Sequence, residues 1–271
     1  MSAIDIDGIA AEALAAFDTR KQIEPFTACV PKLDVGTVYA IAAAALRIRQ
    51  ERGEKPVGRK IGFTNRSIWT QFNVDAPIWG YMYDTSLATL KSDEAVSLAA
   101  FCEPQIEPEI AFKLATAPAA GMNERELLDC VAWIAHGFEI VQSIYPGWTF
   151  KVPDTIVNFG MHGAYRLGEP LMVTPQNCDV LFESLPAFTV ALSRDGATID
   201  TGKGANVLGG PLSALRHLVE LLANDPHNPP LAAGEIVTTG TLTRAFPVKP
   251  GETWATGISG IPLDGRSIRF G

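Results

Sequence analysis

The segment FCEPQIEPEIAFKL, residues 101–114, carries the pattern that decides the fold. Apolar residues such as Ile106 and Ile110 give it the character of a β-strand, and Glu107 and Glu109 stand two residues apart between them. Residues i and i+2 of a strand point to the same face of the sheet. The spacing therefore predicts two carboxylates side by side next to a hydrophobic core.

Two interpretations of this carboxylate pair are open from the residues alone. Like charges on a half-buried face repel each other and lose solvation. A hard divalent cation such as Mg²⁺ or Mn²⁺ resolves this conflict, because these ions prefer carboxylate oxygens. Alternatively, the pair lies on an exposed strand face, where solvated glutamates are common. Pro108 between the two predicts an edge strand or an irregular strand, which fits either interpretation.

Two further charged residues stand in apolar surroundings. Glu139 lies in HGFEIVQSIY, residues 136–145, and needs a partner, either a cation shared with the glutamate pair or a Lys or Arg. Lys60 lies in VGRKIGF, residues 57–63. Near a metal and an apolar wall a lysine loses proton affinity, which suits acid–base work on an enolisable substrate. The alternative is a lysine with a buried stem and an ammonium group in solvent.

The composition narrows the class of protein. The chain has 271 residues with 22 Lys and Arg against 30 Asp and Glu, which gives a formal net charge of −8. An acidic chain without a basic run is a poor match for nucleic acid or an anionic membrane. The first twenty residues do not resemble a secretory signal, and no uncharged run is long enough to span a bilayer. The four scattered cysteines are typical of buried free thiols in a reducing cytoplasm, so we expect a cytoplasmic protein.

Helical spacing marks three segments. Apolar residues recur at helical intervals over residues 6–17, and a second helix is predicted with Asp34 as its N-cap and Gly53 as its stop. A third helix, PLSALRHLVELLA, begins with Pro211 in its first turn.

Short β-like runs separated by Gly and Pro turns dominate from Val57 onward, and Asp195-Gly196 marks a hairpin turn. Helices followed mostly by strands predict an α+β fold and not a doubly wound sheet. The simplest division is an N-terminal helical arm at residues 1–55 and a catalytic β-rich domain at residues 56–271.

Several common catalytic motifs are missing from the sequence. It contains no P-loop pattern, no HExxH and no GxSxG, and TGKGANVLGG at residues 201–210 has the wrong glycine spacing for a dinucleotide fingerprint. Nucleotide-dependent and serine-nucleophile mechanisms are therefore disfavoured.

Six blocks, in order along the chain, resemble the 2-keto-4-pentenoate hydratase/4-oxalocrotonate decarboxylase family of the fumarylacetoacetate hydrolase-like superfamily. They are GRKIGFTNRSIWTQFNVDAPIWGYMYD, IEPEIAFKL, FEIVQSIY, DTIVNFGMHGAYRLG, VLGGPLSALRHLVELL and TGTLTRAFPVKPGETW. The E-P-E and E-I-V blocks are the most specific. The resemblance implies an α+β fold with a rolled mixed β-sheet, a homo-oligomer, a bound Mg²⁺ or Mn²⁺, and a small 2-oxo or 2-hydroxydienoic acid substrate from aromatic-compound catabolism.

The resemblance also implies roles for individual residues. Glu107, Glu109 and Glu139 match the metal-ligand carboxylates of the family, and Lys60 matches its active-site lysine. Asp154 lies in the block that covers the pocket, and we assign it to substrate binding.

The chain departs from the family pattern at two places. Family hydratases commonly carry an acidic residue where this chain has Ile78, whereas the decarboxylase branch often has an apolar residue there. Met161 and His162 stand where the family has two serines, which implies a bulkier pocket with different hydrogen bonds. We assign Ile78 and Met161 to the substrate pocket. His162 is a candidate catalytic residue in place of the missing acid, and the alternative is a structural, hydrogen-bonded histidine.

Three functions follow from these residues. The first is a metal-dependent lyase, either a hydratase or a vinylogous 2-oxo acid decarboxylase, in which the metal stabilises an enolate and Lys60 moves a proton. The second is an acylpyruvate-type hydrolase of a carbon–carbon bond, with His162 as a possible base. The third is a degenerate, non-catalytic family member that acts as a binding or assembly subunit, against which the intact glutamates and Lys60 argue.

Overall fold

The N-terminal helices form where the apolar spacing predicts them. The computed structural model describes residues 4–30, 32–72, 74–91 and 94–271. Its first helices are α1 (Ile6–Thr19), α2 (Phe26–Cys29) and α3 (Val35–Glu51). Asp34 caps α3 by accepting a hydrogen bond of 2.8 Å from the backbone N–H of Thr37, and Gly53 follows the helix with a φ of 90°. The predicted cap and stop of this helix are thus confirmed.

The remaining chain consists mostly of short strands, as the sequence predicts, but it also contains short helices that the sequence pattern did not predict. The strands are β1 (Pro56–Gly62), β2 (Ile78–Tyr83), β3 (Leu87–Thr89), β4 (Ala95–Val96), β5 (Gln105–Leu114), β6 (Val131–Val141), β7 (His162–Leu167), β8 (Leu171–Met172), β9 (Thr189–Arg194), β10 (Ala197–Lys203), β11 (Ile236–Thr238), β12 (Phe246–Pro247), β13 (Thr253–Ser259) and β14 (Ser267–Phe270). The other helices are α4 (Trp69–Phe72), α5 (Glu124–Asp129), α6 (Val152–Val157), α7 (Cys178–Ala187) and α8 (Pro211–Ala223). The helix predicted to begin at Pro211 is α8.

The strands form two sheets. The larger sheet has the order β2-β1-β11-β5-β6-β7-β3, with β12 beside β5 and β8 beside β6. It is mixed, because β1 runs parallel to β11 and β3 parallel to β7 while the other pairs are antiparallel. The smaller sheet has the order β10-β9-β13-β14-β4. The larger sheet curls into a half-barrel, which confirms the α+β fold with a helical N-terminal part and a rolled mixed sheet.

The hairpin of β9 and β10 turns at the predicted dipeptide. Asp195 has a φ of 50° and Gly196 a φ of 83°, so both central residues are left-handed. This is the backbone of a two-residue turn whose twist matches that of the flanking strands.

Pro108 lies in an irregular part of a central strand, so of the two predicted alternatives the irregular strand holds and the edge strand does not. β5 lies between β6 and β11 in the middle of the larger sheet. On the β11 side, β11 pairs with residues 111–113 and β12 with residues 105–106, which leaves Pro108 in the gap between them. The carbonyl of Pro108 accepts a hydrogen bond of 2.9 Å from the N–H of Leu242. The proline is tolerated because its missing N–H faces this irregular gap.

The N-terminal helices share a hydrophobic core with the strands. Leu14 of α1 and Ile41 of α3 belong to the same cluster of buried residues as Ile61 of β1 and Phe112 of β5. The division at residue 55 stays a prediction. No helix within the described ranges is long and apolar enough to cross a membrane. All four cysteines are free thiols, but Cys29 is exposed, so the prediction that all four are buried is wrong for this residue.

Candidate active site

Three buried or half-buried carboxylates meet at the centre of the larger sheet. Glu107 of β5 directly faces Glu139 of β6, and Glu109 lies two residues further along β5. Carboxylate oxygens of all three residues lie within 4.8 Å of one another. Glu109 and Glu139 are completely buried. Like charges that face each other across antiparallel strands destabilise the pair, so this cluster calls for a compensating positive charge.

The proton affinities of the carboxylates reflect this crowding. Burial raises the pKa of Glu107 to about 7, although the charge of Lys60 opposes the shift. Burial, together with the negative charge of Glu139, raises the pKa of Glu109 well above its usual range. For Glu139, burial is outweighed by Lys60 and His162, so its pKa falls to about 2. Burial and mutual repulsion therefore oppose ionisation of Glu107 and Glu109, whereas Lys60 and His162 favour the ionised form of Glu139.

The oxygens of the cluster fit a divalent cation. Oε2 of Glu109 accepts a hydrogen bond of 3.0 Å from the backbone N–H of Gly240, while its buried Oε1 has no hydrogen-bond partner among the described residues. Oε2 of Glu139 forms an ion pair with Nζ of Lys60 at 3.1 Å. Buried oxygens without donors are costly, and carboxylate oxygens are the ligands that hard divalent ions prefer. Glu107, Glu109 and Glu139 are thus able to hold such an ion.

Lys60 reaches the cluster from β1. Its side chain is buried, and Nζ donates a hydrogen bond of 2.9 Å to the carbonyl oxygen of Gly160. Burial alone would lower the pKa of Lys60, but the charges of the three glutamates outweigh it and the pKa is raised. This direction is opposite to the predicted loss of proton affinity, because that prediction counted the charge of a metal, which offsets the glutamates. Lys60 therefore stays charged beside the carboxylates, and its catalytic role stays a prediction.

The turn Phe159–Met161 brings backbone next to Lys60. Gly160 has a φ of +68°, and a Cβ at this position would lie 3.0 Å from Cδ of Lys60. A Cβ at Gly80 of β2 would lie 2.2 Å from the carbonyl oxygen of Phe159. Glycine at both positions lets the turn approach the strands closely enough for Lys60 to bond to it. Phe159 and Met161 also have positive φ values, so the turn holds strain at the site.

His162 contacts a glutamate and does not line the cavity described below. Its Nδ1 lies 2.7 Å from Oε1 of Glu139, and its Nε2 lies 2.8 Å from Oγ of Ser86. A carboxylate can only accept, so we assign the proton to Nδ1. Burial lowers the pKa of His162 despite the hydrogen bond to Glu139, which favours the neutral ring. The catalytic role of His162 stays a prediction, and this placement favours the hydrogen-bonded alternative.

A cavity of about 260 Å³ opens beside the cluster. Lys60, Glu107, Ile78 and Met161 all line it, so the structure brings the two predicted pocket residues to the same space as the charged groups. At this volume the cavity suits a small molecule, since pockets for drug-sized ligands are roughly 300–1,000 Å³.

Asp154 is buried and is not among the described residues that line this cavity. Its carboxylate accepts hydrogen bonds from the backbone N–H of Thr27 at 2.9 Å, the hydroxyl of Thr27 at 2.6 Å and the backbone N–H of Lys151 at 2.9 Å. These bonds tie α2 to the start of α6. The substrate-binding role assigned to Asp154 stays a prediction, and no contact with the cavity supports it.

Some residues of the cavity wall were not predicted from the sequence. Gln105, Trp148, Phe150 and Thr241 line the cavity together with the predicted residues. Gln105 shares a strand face with Glu107, and the two-residue period that groups the glutamates would have included it. Trp148 and Phe150 come from the irregular segment between β6 and α6, which carries no periodic signal.

The chain is similar in sequence to known proteins. A profile described as "Fumarylacetoacetate (FAA) hydrolase C-terminal" matches residues 59–264. The chain is 32% identical over 247 residues to a 2-keto-4-pentenoate hydratase of Paraburkholderia xenovorans, which covers 91% of this chain and 88% of that protein. It is 30% identical over 203 residues to a 4-oxalocrotonate decarboxylase of a Pseudomonas species, with 75% of each chain covered.

A solved structure shares the fold. It is that of 4-oxalocrotonate decarboxylase from Pseudomonas putida, complexed with magnesium and adipate. It superposes with a TM-score of 0.89 at 24% identity and covers 98% of this chain and 97% of that chain.

Proposed function

The chain belongs to the 2-keto-4-pentenoate hydratase/4-oxalocrotonate decarboxylase family within the fumarylacetoacetate hydrolase superfamily, and from this premise we propose that it is a divalent-metal-dependent lyase. Its substrates are small 2-oxo or 2-hydroxydienoic acids of aromatic-compound catabolism. One observation carries the proposal: Glu107, Glu109 and Glu139 bring carboxylate oxygens within 4.8 Å of one another, beside a cavity that Glu107 and Lys60 line.

The three glutamates would hold the cation, and we propose Mg²⁺ or Mn²⁺. When bound there, a divalent cation supplies a Lewis acid that stabilises the negative charge of an enolate. Oε1 of Glu109 is an oxygen that protein donors leave available for it, and Oε2 of Glu139 would be shared between the cation and the ammonium group of Lys60, 3.1 Å away.

Lys60 carries the proton of the reaction. Its Nζ is held by the carbonyl of Gly160 at 2.9 Å and by Glu139 at 3.1 Å, which leaves one ammonium hydrogen for the substrate. Interconversion of an enol and a ketone needs a proton to be moved at carbon, and a positioned ammonium group beside the substrate provides it. Ile78 and Met161 close the wall with apolar surface, which excludes bulk water and strengthens these electrostatic contacts.

The geometry favours the lyase over the two alternatives. A carbon–carbon hydrolase needs a free base for its water, whereas both ring nitrogens of His162 are already bonded. A degenerate, non-catalytic subunit has no need to keep three buried carboxylates and a buried lysine together, since such groups are costly without a ligand. We also infer a homo-oligomer and a cytoplasmic location from the family.

The deciding experiment combines metal titration with a substrate panel. Calorimetry with Mn²⁺ on the metal-stripped protein is expected to show one site per chain that the variant Glu109→Gln lacks. A panel of 2-hydroxydienoic and 2-oxo acids is then assayed with Mn²⁺, and water addition, carbon dioxide release and pyruvate formation are followed separately. Water addition or carbon dioxide release supports the lyase, and pyruvate release from an acylpyruvate alone supports the hydrolase. Absence of metal binding would leave the non-catalytic subunit.

A further inference from the structure

The cavity beside the glutamates has a charged part and an apolar part. Among the described residues that line it, only Lys60 is positively charged and only Glu107 is negatively charged. Both belong to the proposed metal site. Much of the remaining wall is apolar, with Ile78, Trp148 and Phe150 among its residues. A molecule bound here meets charge at one end only.

A second cavity of about 580 Å³ adjoins the first. Ile78 and Phe150 line both cavities, so the two cavities meet at these side chains. The second cavity contains neither Lys60 nor any of the three glutamates, and it therefore extends away from the metal site. Its surface includes Val35, Val74 and Val152, which continue the apolar character of the shared wall.

The charged residues of the second cavity disfavour an anion. Asp34 and Asp75 line it together with Lys151, which leaves one excess negative charge among the described lining residues. The carboxylate of Asp34 is held by the N–H of Thr37, and its pKa is lowered by that hydrogen bond, so this charge is fixed near the cavity. To bind here, a second carboxylate of the substrate would have to move from water into a cavity with apolar walls and a net negative charge. This transfer is unfavourable.

We propose that the substrate carries one carboxylate at the metal site and an uncharged apolar chain that passes Ile78 and Phe150 into the second cavity. The proposal rests on the proposed function, because it takes the 2-oxo acid end of the substrate as bound beside Lys60. It selects, within that function, substituted monocarboxylic acids over dicarboxylic acids. Ile78 and Phe150 are then the residues that determine specificity for the chain.

Binding of unreactive analogues tests this proposal without turnover. Three saturated 2-oxo acids are titrated into the Mg²⁺-supplied protein by calorimetry: 2-oxopentanoate, 2-oxooctanoate, and 2-oxooctanedioate, which matches 2-oxooctanoate in length but ends in a carboxylate. We expect 2-oxooctanoate to bind at least about tenfold more tightly than 2-oxopentanoate, because it buries three more methylene groups. We expect 2-oxooctanedioate to lose that gain.

Two variants test whether the apolar chain of the ligand binds next to Ile78. Ile78→Trp enlarges the shared wall and is expected to abolish the advantage of 2-oxooctanoate while 2-oxopentanoate still binds. Val180→Ala, on the exposed surface of α7, is the matched control and is expected to keep the native ranking. The ranking of the three acids on the native protein stands as evidence even if Ile78→Trp does not fold.

The outcomes distinguish failure of the apolar-chain proposal from failure of the proposed function. Equal affinity for the short and long monocarboxylic acids, or tighter binding of the dicarboxylic acid, would overturn the apolar-chain proposal and leave the proposed function in place. If none of the three acids binds in a Mg²⁺-dependent manner, the proposed function fails and the apolar-chain proposal is overturned with it.

Discussion

Nδ1 of His162 lies 2.7 Å from Oε1 of Glu139, at the start of a hydrogen-bonded chain that ends on the backbone of β2. Nε2 of the same ring lies 2.8 Å from Oγ of Ser86, and that hydroxyl lies 3.1 Å from both the N–H and the carbonyl oxygen of Tyr83. The chain fixes one oxygen of Glu139 and leaves the other directed at Lys60 and the glutamate cluster. Groups that hydrogen-bond to metal ligands in this way set the orientation and affinity of the site.

His162→Ala is therefore expected to weaken Mn²⁺ binding by about 10- to 100-fold, because Glu139 loses the donor that orients it. His162→Asn places an amide N–H near the position of Nδ1 and is expected to restore most of the affinity. Calorimetric titration of the metal-stripped variants measures both. Native metal affinity in His162→Ala, combined with a large loss of turnover, would instead assign the ring to catalysis.

Glu109→Gln is expected to separate metal binding from folding. The amide keeps the shape of the side chain and an oxygen for the N–H of Gly240, but it removes a carboxyl group whose ionisation the crowded, buried cluster opposes. Thermal unfolding in EDTA should occur at or above the native midpoint. Mg²⁺ at about 100 times its Kd stabilises a one-site protein by about 2.7 kcal/mol, and the variant should lose this increment. A Mg²⁺-dependent shift of native size in the variant would remove Glu109 from the metal site.

The glutamate site could be predicted from sequence only in part. The two-residue period of a strand places Glu107 and Glu109 on one face, whatever the tertiary fold. Their contact with Glu139 depends on the register of β5 against β6, which no local pattern encodes. The grouping of the three glutamates was predicted from the family resemblance. The contact of His162 with Glu139 depends further on an irregular register between β6 and β7, where Ile140 pairs with Ala164 and Val141 with His162.

The fold, too, could be predicted from the sequence only in part. Local signals such as the Asp34 cap and the Asp195-Gly196 turn predict a helix start and a hairpin, because capping and turn chemistry act between near neighbours. The insertion of β11 between β1 and β5 joins residues more than a hundred positions apart, and period and propensity carry no information about it. Local patterns also do not predict a proline in a central strand. The gap opposite Pro108 exists because β11 and β12, which are distant in sequence, pair with β5 on either side of it.

Lys60→Met is expected to slow turnover by on the order of 10²- to 10⁴-fold, since it removes the proposed proton carrier while keeping side-chain volume. Mn²⁺ affinity should stay equal or increase, because the ammonium group lies 3.1 Å from Glu139 and competes with a cation for the same negative charge. Steady-state kinetics and metal titration measure the two effects. Lys249→Met, at an exposed position, is the control; unchanged turnover in Lys60→Met would leave Lys60 a purely structural residue.

Gly160→Ala is expected to reduce stability and activity together. Its φ of +68° costs an L-residue about 1–2 kcal/mol, and the new Cβ would lie 3.0 Å from Cδ of Lys60. Gly121→Ala is a matched control, because Gly121 also has a positive φ but its new Cβ would have open space within 4 Å. Urea unfolding should show a similar backbone cost in both variants, whereas only Gly160→Ala should lose turnover. Equal turnover in the two would show that Lys60 does not depend on the tight turn.

Ile78→Asp tests whether this position decides between water addition and decarboxylation. Ile78 faces Gly62 across β1 and β2, and a Cβ at Gly62 would lie 3.1 Å from Cγ1 of Ile78 and 3.7 Å from Nζ of Lys60. A carboxylate at position 78 would therefore stand close to the proton carrier and add a second proton-transfer group to the cavity. We expect the ratio of hydrated product to carbon dioxide to rise, at some cost in stability because the position is buried. Ile78→Asn has the same shape without the acid and should leave the ratio near the native value. A ratio that changes equally in both variants would mean that polarity or shape at position 78, and not its acidity, sets the outcome of the reaction.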